Sequence, residues 1–427
     1  DDPGQGDFRS GQGTYNPAIN SPSQAALDAL FGSYGVTGSV PANSFLSFNE
    51  NNSLFAANNG LANFSGGYGL RGTGDQVTYT QVASLSQTPL DRYTVFARGN
   101  YNITPDIEAF AQAHFAHVDT ITQAEGGNAT LSIPVGNPFI PADLSTLLAS
   151  RTDSNDALWL EKRFFGVGPR QNTRTFEIFQ VQGGLSGVLN DIDGSWEFYA
   201  SHGSTDVNTA SANSVIRSSL NELLNAPDGG ASLCDGGYNP FGVSVVSADC
   251  HSYMAASLLQ ATSLTQNIAE ANVQGHLLDL PTGEVRFAAG LSYRENEYSF
   301  RPDQDITNGT AVGVISSSAS SGSTKVTEYY TELLIPLLSD IMGFQSLDLD
   351  VAYRYSDYEL AGGVNTYKAD MNWIVNDTVR VRGGYQRAVR APNVGELFVA
   401  PNSDFASIGD IANGGGDPCA ASNAQGN

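Results

Sequence analysis

Apolar and polar residues alternate strictly along three stretches near the end of the chain, which begin at Leu347, Val364 and Thr378. A β-strand sends successive side chains to opposite faces of its sheet. The three stretches therefore predict consecutive strands, joined by a tight hairpin turn at Asn376 and Asp377. Their apolar faces carry Leu347, Leu349, Val351, Tyr353 and Tyr355, then Tyr367, Ala369, Met371, Trp373 and Val375, then Val379, Val381, Gly383 and Tyr385.

The same alternation occurs in seven stretches farther upstream. They cover residues 92–100, 107–118, 179–189, 195–205, 265–278, 284–298 and 326–334. Each stretch has one apolar face without charge and one polar face, so the chain is predicted to form ten strands. Alternation alone would also fit a soluble β-sandwich whose apolar faces are buried between two sheets.

The lengths of the connections favour a membrane barrel over a sandwich. Short links alternate with long ones over residues 119–173, 207–264 and 299–324. Outer-membrane barrels have short periplasmic turns and long extracellular loops, whereas a compact sandwich rarely contains such long loops. Tyr101, Trp196 and Trp373 all lie beside short links, where they would form an aromatic belt at the membrane surface.

We therefore predict an all-β fold, a transmembrane antiparallel β-barrel that is partial, with roughly ten to twelve strands in this chain. Residues 92–388 are predicted to hold the barrel strands and their extracellular loops. Residues 1–91 are predicted to form a long extracellular loop or strand extension, and residues 389–427 the start of a further extracellular loop.

Composition narrows the classes of function. The chain has 20 Lys and Arg against 44 Asp and Glu, which gives a formal net charge of −24. This charge argues against nucleic acid as a partner, because little in the chain could neutralise phosphates. The sequence has no run of about 18 apolar residues that could form a transmembrane helix, and barrel strands need none.

The chain has three cysteines, and two of them are close in sequence. A bridge between Cys234 and Cys250 would close a loop of roughly 15 residues, worth about 3 kcal/mol in the chain-entropy model. Such a bridge would indicate an oxidising, exported compartment. The alternative is three unpaired thiols. We expect any partner of Cys419 to lie beyond Asn427.

No arrangement of residues predicts catalysis, a metal site or a cofactor. His114 and His117 fall on opposite faces of one predicted strand, so they cannot bind a metal together. The chain is therefore not predicted to be an enzyme. Aromatic and amide side chains in the predicted long loops could stack on a ligand or hydrogen-bond to it. The candidates are Trp159, Tyr238, Asn239 and Phe241.

The stretch from Arg382 to Leu397 resembles the barrel signature of TonB-dependent outer-membrane receptors. That signature runs roughly R-x-x-Y-x-R-x-x-R-A-P-x-x-x-E-L, and the matching residues are Arg382, Tyr385, Arg387, Arg390, Ala391, Pro392, Glu396 and Leu397. Weaker similarity extends over most of residues 85–420. The residues alone suggest no chemical role for the motif beyond arginines that face the barrel interior and a proline that ends a strand.

The resemblance implies a barrel of about 22 strands in the outer membrane of a Gram-negative bacterium, with an N-terminal plug. Ten strands cannot close a barrel of that size, so the resemblance leads us to expect further strands before Asp1 and after Asn427. It implies active transport of a scarce ligand, such as a siderophore, cobalamin or an oligosaccharide, powered by TonB through a TonB box on the plug. Neither plug nor box occurs in this sequence. The implied partners are outer-membrane lipid, TonB and a small molecule whose identity stays open. The alternatives are a passive porin and a secreted, soluble, glycan-binding β-sandwich.

Overall fold

The structure of the protein is a computed structural model that describes residues 13–17, 20–49, 51–56, 62–65, 70–71, 77–78, 85, 87–242 and 245–400. The strands are β1 (Thr14–Tyr15), β2 (Leu46–Phe48), β3 (Leu54–Ala56), β4 (Leu70–Arg71), β5 (Val77–Thr78), β6 (Leu90–Thr104), β7 (Ile107–Ala124), β8 (Asn128–Ile133), β9 (Leu158–Arg163), β10 (Arg170–Leu189), β11 (Gly194–Val215), β12 (Ala255–Leu280), β13 (Gly283–Pro302), β14 (Ser320–Ile341), β15 (Phe344–Tyr358), β16 (Gly362–Ile374) and β17 (Arg380–Arg387). The helices are α1 (Gln24–Ser33), α2 (Ala142–Ala149), α3 (Arg217–Asn225), α4 (Ala248–Met254), α5 (Gln304–Thr307) and α6 (Val394–Phe398). Cys419 lies outside the described residues.

The ten strands predicted from alternation form one antiparallel sheet. Each of the inner strands pairs with the predicted strand that comes before it in the chain and with the one that comes after it. The order is β17-β16-β15-β14-β13-β12-β11-β10-β7-β6, and the sheet is not closed. Its register keeps the predicted faces together: Leu349 lies opposite Met371, and Met371 lies opposite Gly383. The prediction of a partial antiparallel barrel is therefore confirmed.

The apolar face of this sheet is exposed. Among its members, Tyr329, Tyr353 and Val381 are each well over a third accessible, and Tyr385 is 67% accessible. A soluble sandwich would bury these side chains against a second sheet. The exposure of this face contradicts the sandwich alternative.

Several strands run well beyond the ends that alternation predicts, so the loops are shorter than expected. The three long loops span residues 125–169, 216–254 and 303–319. The extra residues, such as those of β11 after Ser204, are mostly polar on both faces. A strand segment that is exposed to water on both faces has no reason to alternate apolar and polar residues. The sequence pattern therefore misses the strand ends next to the long loops. The hairpin after β16 is also wider than the two predicted residues, because β17 starts only at Arg380.

The long loops are not structureless, because they fold together with the N-terminal segment into a compact unit. We call this unit the cap and define it as residues 13–56, 128–167 and 216–254. A five-stranded sheet in the order β3-β2-β1-β9-β8 forms its centre, with β1 between β2 and β9. The segment predicted as a long loop at residues 1–91 thus contains α1, whose N-cap is Ser23, and three short strands of this sheet.

Most of the main hydrophobic core of the described residues lies in the cap, and the core also includes Val215 at the end of β11 and Val312 in the loop over residues 303–319. Its buried members come from all three segments of the cap, and they include Tyr15, Leu27, Phe31, Phe48, Leu131, Leu144, Leu158, Leu220, Leu223, Tyr238, Phe241 and Met254. Burial of apolar surface is the dominant favourable term in folding. The cap therefore has its own source of stability, separate from the hydrogen bonds of the barrel strands.

Hydrogen bonds continue from the barrel strands into the cap and the loop over residues 303–319. The backbone N–H of Val312 donates to the carbonyl of Val215 at 2.8 Å, and Arg170 Nη1 donates to the carbonyl of Gly313 at 2.7 Å. The buried ion pair of Arg163 and Glu125, at 3.1 Å, lies where β9 meets the top of β7. None of the helices in the described part of the chain has both the length and the apolar character needed to cross a membrane.

Candidate ligand-binding site

Charged side chains pair with one another on the polar face of β14, β15 and β16. The Nζ of Lys368 donates to Glu332 Oε1 at 2.6 Å and to Asp350 Oδ2 at 2.7 Å. Asp348, on the same face, accepts a hydrogen bond from Asn372 at 3.1 Å. Asp348 and Asp350 thus belong to a paired polar surface, and their contacts give no sign of acid–base chemistry.

A second group of contacts surrounds Glu328, which is almost fully buried. Its carboxylate accepts a hydrogen bond from Ser356 at 2.6 Å and lies 3.8 Å from the guanidinium of Arg354. That guanidinium also lies 5.0 Å from the centre of the Tyr330 ring, within range of a cation–π interaction. The polar face is therefore tied across neighbouring strands by side-chain contacts as well as by the backbone.

Beyond β17 the chain turns back over the polar face. We call residues 389–398 the inward segment. Its helix α6 lies against β13 and β14. The ring of Phe398 lies so close to Gly322 of β14 that no Cβ could be accommodated there. This contact requires glycine at position 322 and anchors the inward segment on the barrel wall.

The motif residue Glu396 holds the inward segment in its folded shape. Its Oε1 accepts a hydrogen bond from Arg390 Nη2 at 2.6 Å, and its Oε2 accepts one from the N–H of Asn393 at 2.9 Å. The side chain of Asn393 in turn accepts the N–H of Glu396 at 2.9 Å, which completes a capping box. These bonds to the carboxylate, first from Arg390 and then from Asn393, lower the pKa of Glu396.

The other motif residues divide between the two faces of β17. Arg382 lies opposite Asn372 in the polar-face register, whereas Tyr385 is on the apolar face, with its ring 6.2 Å from that of Tyr367. The expectation that the motif arginines face the barrel interior fits the position of Arg382 but not that of Arg387, which lies opposite Tyr367 in the register of the apolar face. The structure adds a role for Arg390 and Glu396 that the sequence alone did not suggest.

A cavity of about 760 Å³ lies between the inward segment and the polar face of β10 to β14. Its lining mixes amide, hydroxyl, cationic and apolar side chains: Ile178, Gln180, Ser201, Thr205, Leu264, Gln266, Arg294, Asn296, Val326, Val394 and Leu397. Sequence reasoning missed this site because its walls come from five strands and a distant segment. Alternation marks such residues as polar-face positions but does not show which of them come together.

The four ligand contacts predicted in the long loops do not line this cavity. Tyr238 and Phe241 are each only 2% accessible in the cap core, where burial raises the pKa of Tyr238. Asn239 accepts the N–H of Phe241 at 2.9 Å and lines a smaller surface groove, and Trp159 is 38% accessible. Contact between a ligand and these four residues stays a prediction. Trp159 and Asn239 are more accessible to a ligand than the buried rings of Tyr238 and Phe241.

Cys234 and Cys250, the pair considered from the sequence, form a disulfide. The bridge joins α4 to the turn region after α3 within the cap. His117 is paired with Asp119 at 3.0 Å and with Glu177 at 3.6 Å, away from His114 on the opposite face. Among the residues that the structure describes, no group of three or more His, Cys, Asp or Glu side chains could hold a metal ion.

The open antiparallel sheet has one exposed apolar face, one paired polar face, short turns at one end and long loops at the other. These features define a transmembrane β-barrel of the outer-membrane class. The family model described as TonB dependent receptor-like, beta-barrel matches residues 118–427. The chain therefore belongs to the TonB-dependent receptor family. A search of curated proteins found no match to the chain.

Membership confirms the resemblance that the Arg-Ala-Pro motif suggested. Receptors of this family are TonB-coupled transporters of Gram-negative outer membranes, and they work with a plug domain. The protein is thus, in general terms, an outer-membrane transport receptor.

Proposed function

We propose that the protein takes up a scarce small molecule, of the siderophore, cobalamin or oligosaccharide kind, by binding it first in the cavity beneath the inward segment. The size of this cavity is the observation that carries the proposal. Ligand sites for small molecules occupy about 300–1,000 Å³, and the cavity falls within that range.

The chemistry of the lining suits a ligand rich in oxygen atoms. Gln180, Gln266 and Asn296 supply amides, and Arg294 supplies a cation that is exposed on the polar face. Gln266 Nε2 already donates to Asn296 Oδ1 at 2.8 Å, so this pair is held in place before a ligand arrives. Such preorganisation reduces the entropy lost on binding.

We also propose an orientation of the barrel in the outer membrane. The exposed apolar face meets outer-membrane lipid, because its side chains would otherwise be left in water. The end with the long loops and the cap is extracellular, and the end with the short turns is periplasmic. The cavity then lies inside the barrel toward the cap, where a ligand from outside would arrive first. Coupling to TonB would act through the plug of the full-length receptor.

Uptake by the full-length receptor tests the proposal. We would supply a radiolabelled ferric siderophore panel, cobalamin and labelled oligosaccharides to cells that depend on this receptor. Ser201→Trp fills the cavity and is expected to abolish or strongly reduce uptake of whichever probe is transported. Ala200→Trp is the matched control, since Ala200 lies next in sequence but on the apolar face.

Two outcomes would contradict the proposal. Equal uptake by the Ser201→Trp and Ala200→Trp receptors would show that the cavity does not hold the ligand. Uptake that continues in cells without TonB or after addition of a protonophore would show passive diffusion instead of energised transport.

A further inference from the structure

We propose that Glu396 is a positioning residue that keeps the inward segment closed over the ligand cavity. The proposal rests on the proposed function of that cavity and extends it to a part of the family motif. It assigns to Arg390 and Asn393 the supporting role of holding the Glu396 carboxylate. The inward segment then acts as the movable wall of a site whose other wall is the rigid barrel sheet.

The first observation is that the inward segment has little regular structure of its own. Its only helix, α6, has five residues, and isolated helices of this length are not stable. The shape of the segment must therefore come from specific side-chain contacts. Glu396 makes two of them with its two carboxylate oxygens, one to Arg390 and one to the backbone of Asn393.

The second observation is that these contacts are separable. The ion pair with Arg390 is solvent-exposed, and exposed ion pairs contribute little on their own. The capping box satisfies backbone N–H groups at the start of α6, and the loss of such a cap usually has a larger effect. Glutamine at position 396 could keep the capping box while losing the ion pair, so the two contributions can be measured apart.

The third observation is what the inward segment covers. Val326 lies on the polar face of β14 and lines the cavity, yet it is only 5% accessible. Helix α6 packs against this strand, and Phe398 lies against Gly322 four residues away. If the segment moved away from the wall, Val326 would become accessible from the barrel interior.

Cysteine accessibility in the full-length receptor tests the proposal without a ligand. Val326→Cys, in a Cys419→Ser background, reports on the covered wall through its reaction rate with a fluorescent maleimide. Gln112→Cys, a polar-face position of β7 that lines neither this cavity nor the neighbouring pocket beside Val389, reports on general loosening of the barrel. Each reporter is combined in turn with Glu396→Ala, Glu396→Gln and Arg390→Gln. Glu359→Ala is the matched loss of an exposed carboxylate.

We expect Glu396→Ala to raise the labelling rate at position 326 by about fivefold, the size of effect that follows from loss of a helix cap. Glu396→Gln and Arg390→Gln should raise it by about twofold or less, because only an exposed ion pair is lost. Glu359→Ala should leave the rate at position 326 unchanged, and position 112 should label at the same rate in every variant.

Two results would overturn the proposal. An unchanged rate at position 326 in Glu396→Ala would show that the carboxylate does not hold the segment closed. A parallel rise at positions 326 and 112 would show that Glu396 merely stabilises the barrel. Neither result depends on ligand uptake, so a failure here is distinct from a failure of the cavity to hold a ligand.

Discussion

The ammonium group of Lys162 donates a hydrogen bond of 2.6 Å to the carbonyl oxygen of Gly242, inside the cap. The bond joins β9 in one long loop to the chain segment before α4 in another. Lys162 is only 4% accessible, and burial lowers its pKa to about 7. A charged group in such a place makes the stability of the cap depend on pH.

The sign of this dependence follows from proton binding. An unfolded lysine has a pKa of about 10.4, so between about pH 7 and pH 10 the unfolded cap binds more protons than the folded cap. The free energy of unfolding should therefore rise with pH across this window, by up to about 1.4 kcal/mol per pH unit, and level off below it. The pH dependence of the free energy of unfolding can be measured from the rate of proteolysis of the cap at several pH values. The Lys162→Met receptor should lose the slope, and an equal slope in both proteins would refute the assignment.

The disulfide should stabilise the cap without affecting the barrel. The bridged residues are separated by 16 positions, and closing a loop of that size restricts the unfolded chain by about 3 kcal/mol. We expect Cys234→Ala/Cys250→Ala to make the cap sensitive to protease. The barrel should keep its resistance to unfolding by SDS at room temperature. Loss of that resistance would show that cap and barrel unfold together.

Gly184 of β10 should tolerate no larger residue. A methyl group there would collide with the carbonyl oxygen of Phe198 and with the ring of Phe110. We expect Gly184→Ala to destabilise the barrel by about 1–3 kcal/mol, as overpacking does elsewhere. Gly383→Ala is the control, because no atom lies within 4 Å of a Cβ at that position. The temperature at which the SDS-resistant form disappears should fall for the first variant only.

Lys368 should be coupled energetically to Asp350. The pair lies on the polar face and is about 29% accessible on each side, and Lys368 also bonds to Glu332. A double-mutant cycle of Lys368→Met and Asp350→Asn should give a coupling of about 0.5–3 kcal/mol in urea unfolding. The pair of Lys325 and Glu295 is longer, at 3.3 Å, and its lysine is 42% accessible, so it should give about 0–1 kcal/mol. Equal coupling in the two cycles would contradict this ranking.

The two faces of β15 should respond differently to a new charge. Val351 and Ala352 are neighbours in sequence that lie on the apolar and polar faces. If the apolar face meets lipid, Val351→Arg should cost about 2–4 kcal/mol near the bilayer midplane. Ala352→Arg, close to Glu332 and Asp350, should cost much less. The free energy of refolding into lipid vesicles measures the loss of stability in each variant. Similar losses in the two variants would argue against contact between the apolar face and lipid.

The barrel strands were predictable because the information for each strand is local. Leu349, Val351 and Tyr353 show their common face within five residues of sequence, and the register follows once the faces match. The cap was not predictable in this way. β1 has two residues, and it pairs with Leu160 and Glu161 nearly 150 positions later. Nothing in a pair of residues as short as Thr14 and Tyr15 identifies a partner at that distance.

The candidate site falls between these cases. The motif around Arg390 was recognisable from the sequence. The contact of Phe398 with Gly322 was not, because it depends on how far the inward segment folds back onto the barrel wall. Gly322 stands within the serine-rich stretch SSSASSGST, and a glycine in such a stretch carries no signal that an aromatic ring will cover it. Asn393 and Glu396 have the spacing of a capping box, whereas nothing in the sequence marks Arg390 as the ionic partner of Glu396.

The cap also bears on how receptors of this kind could be re-engineered. Its central sheet mixes strands from residues ahead of the family-matched region with strands inside that region. Grafting a single loop from a relative would separate β1 from β9, the strand with which it pairs. A chimera that exchanges the whole cap, residues 13–56, 128–167 and 216–254, keeps the sheet intact. The cap is therefore the unit in which new surface recognition should be transplanted.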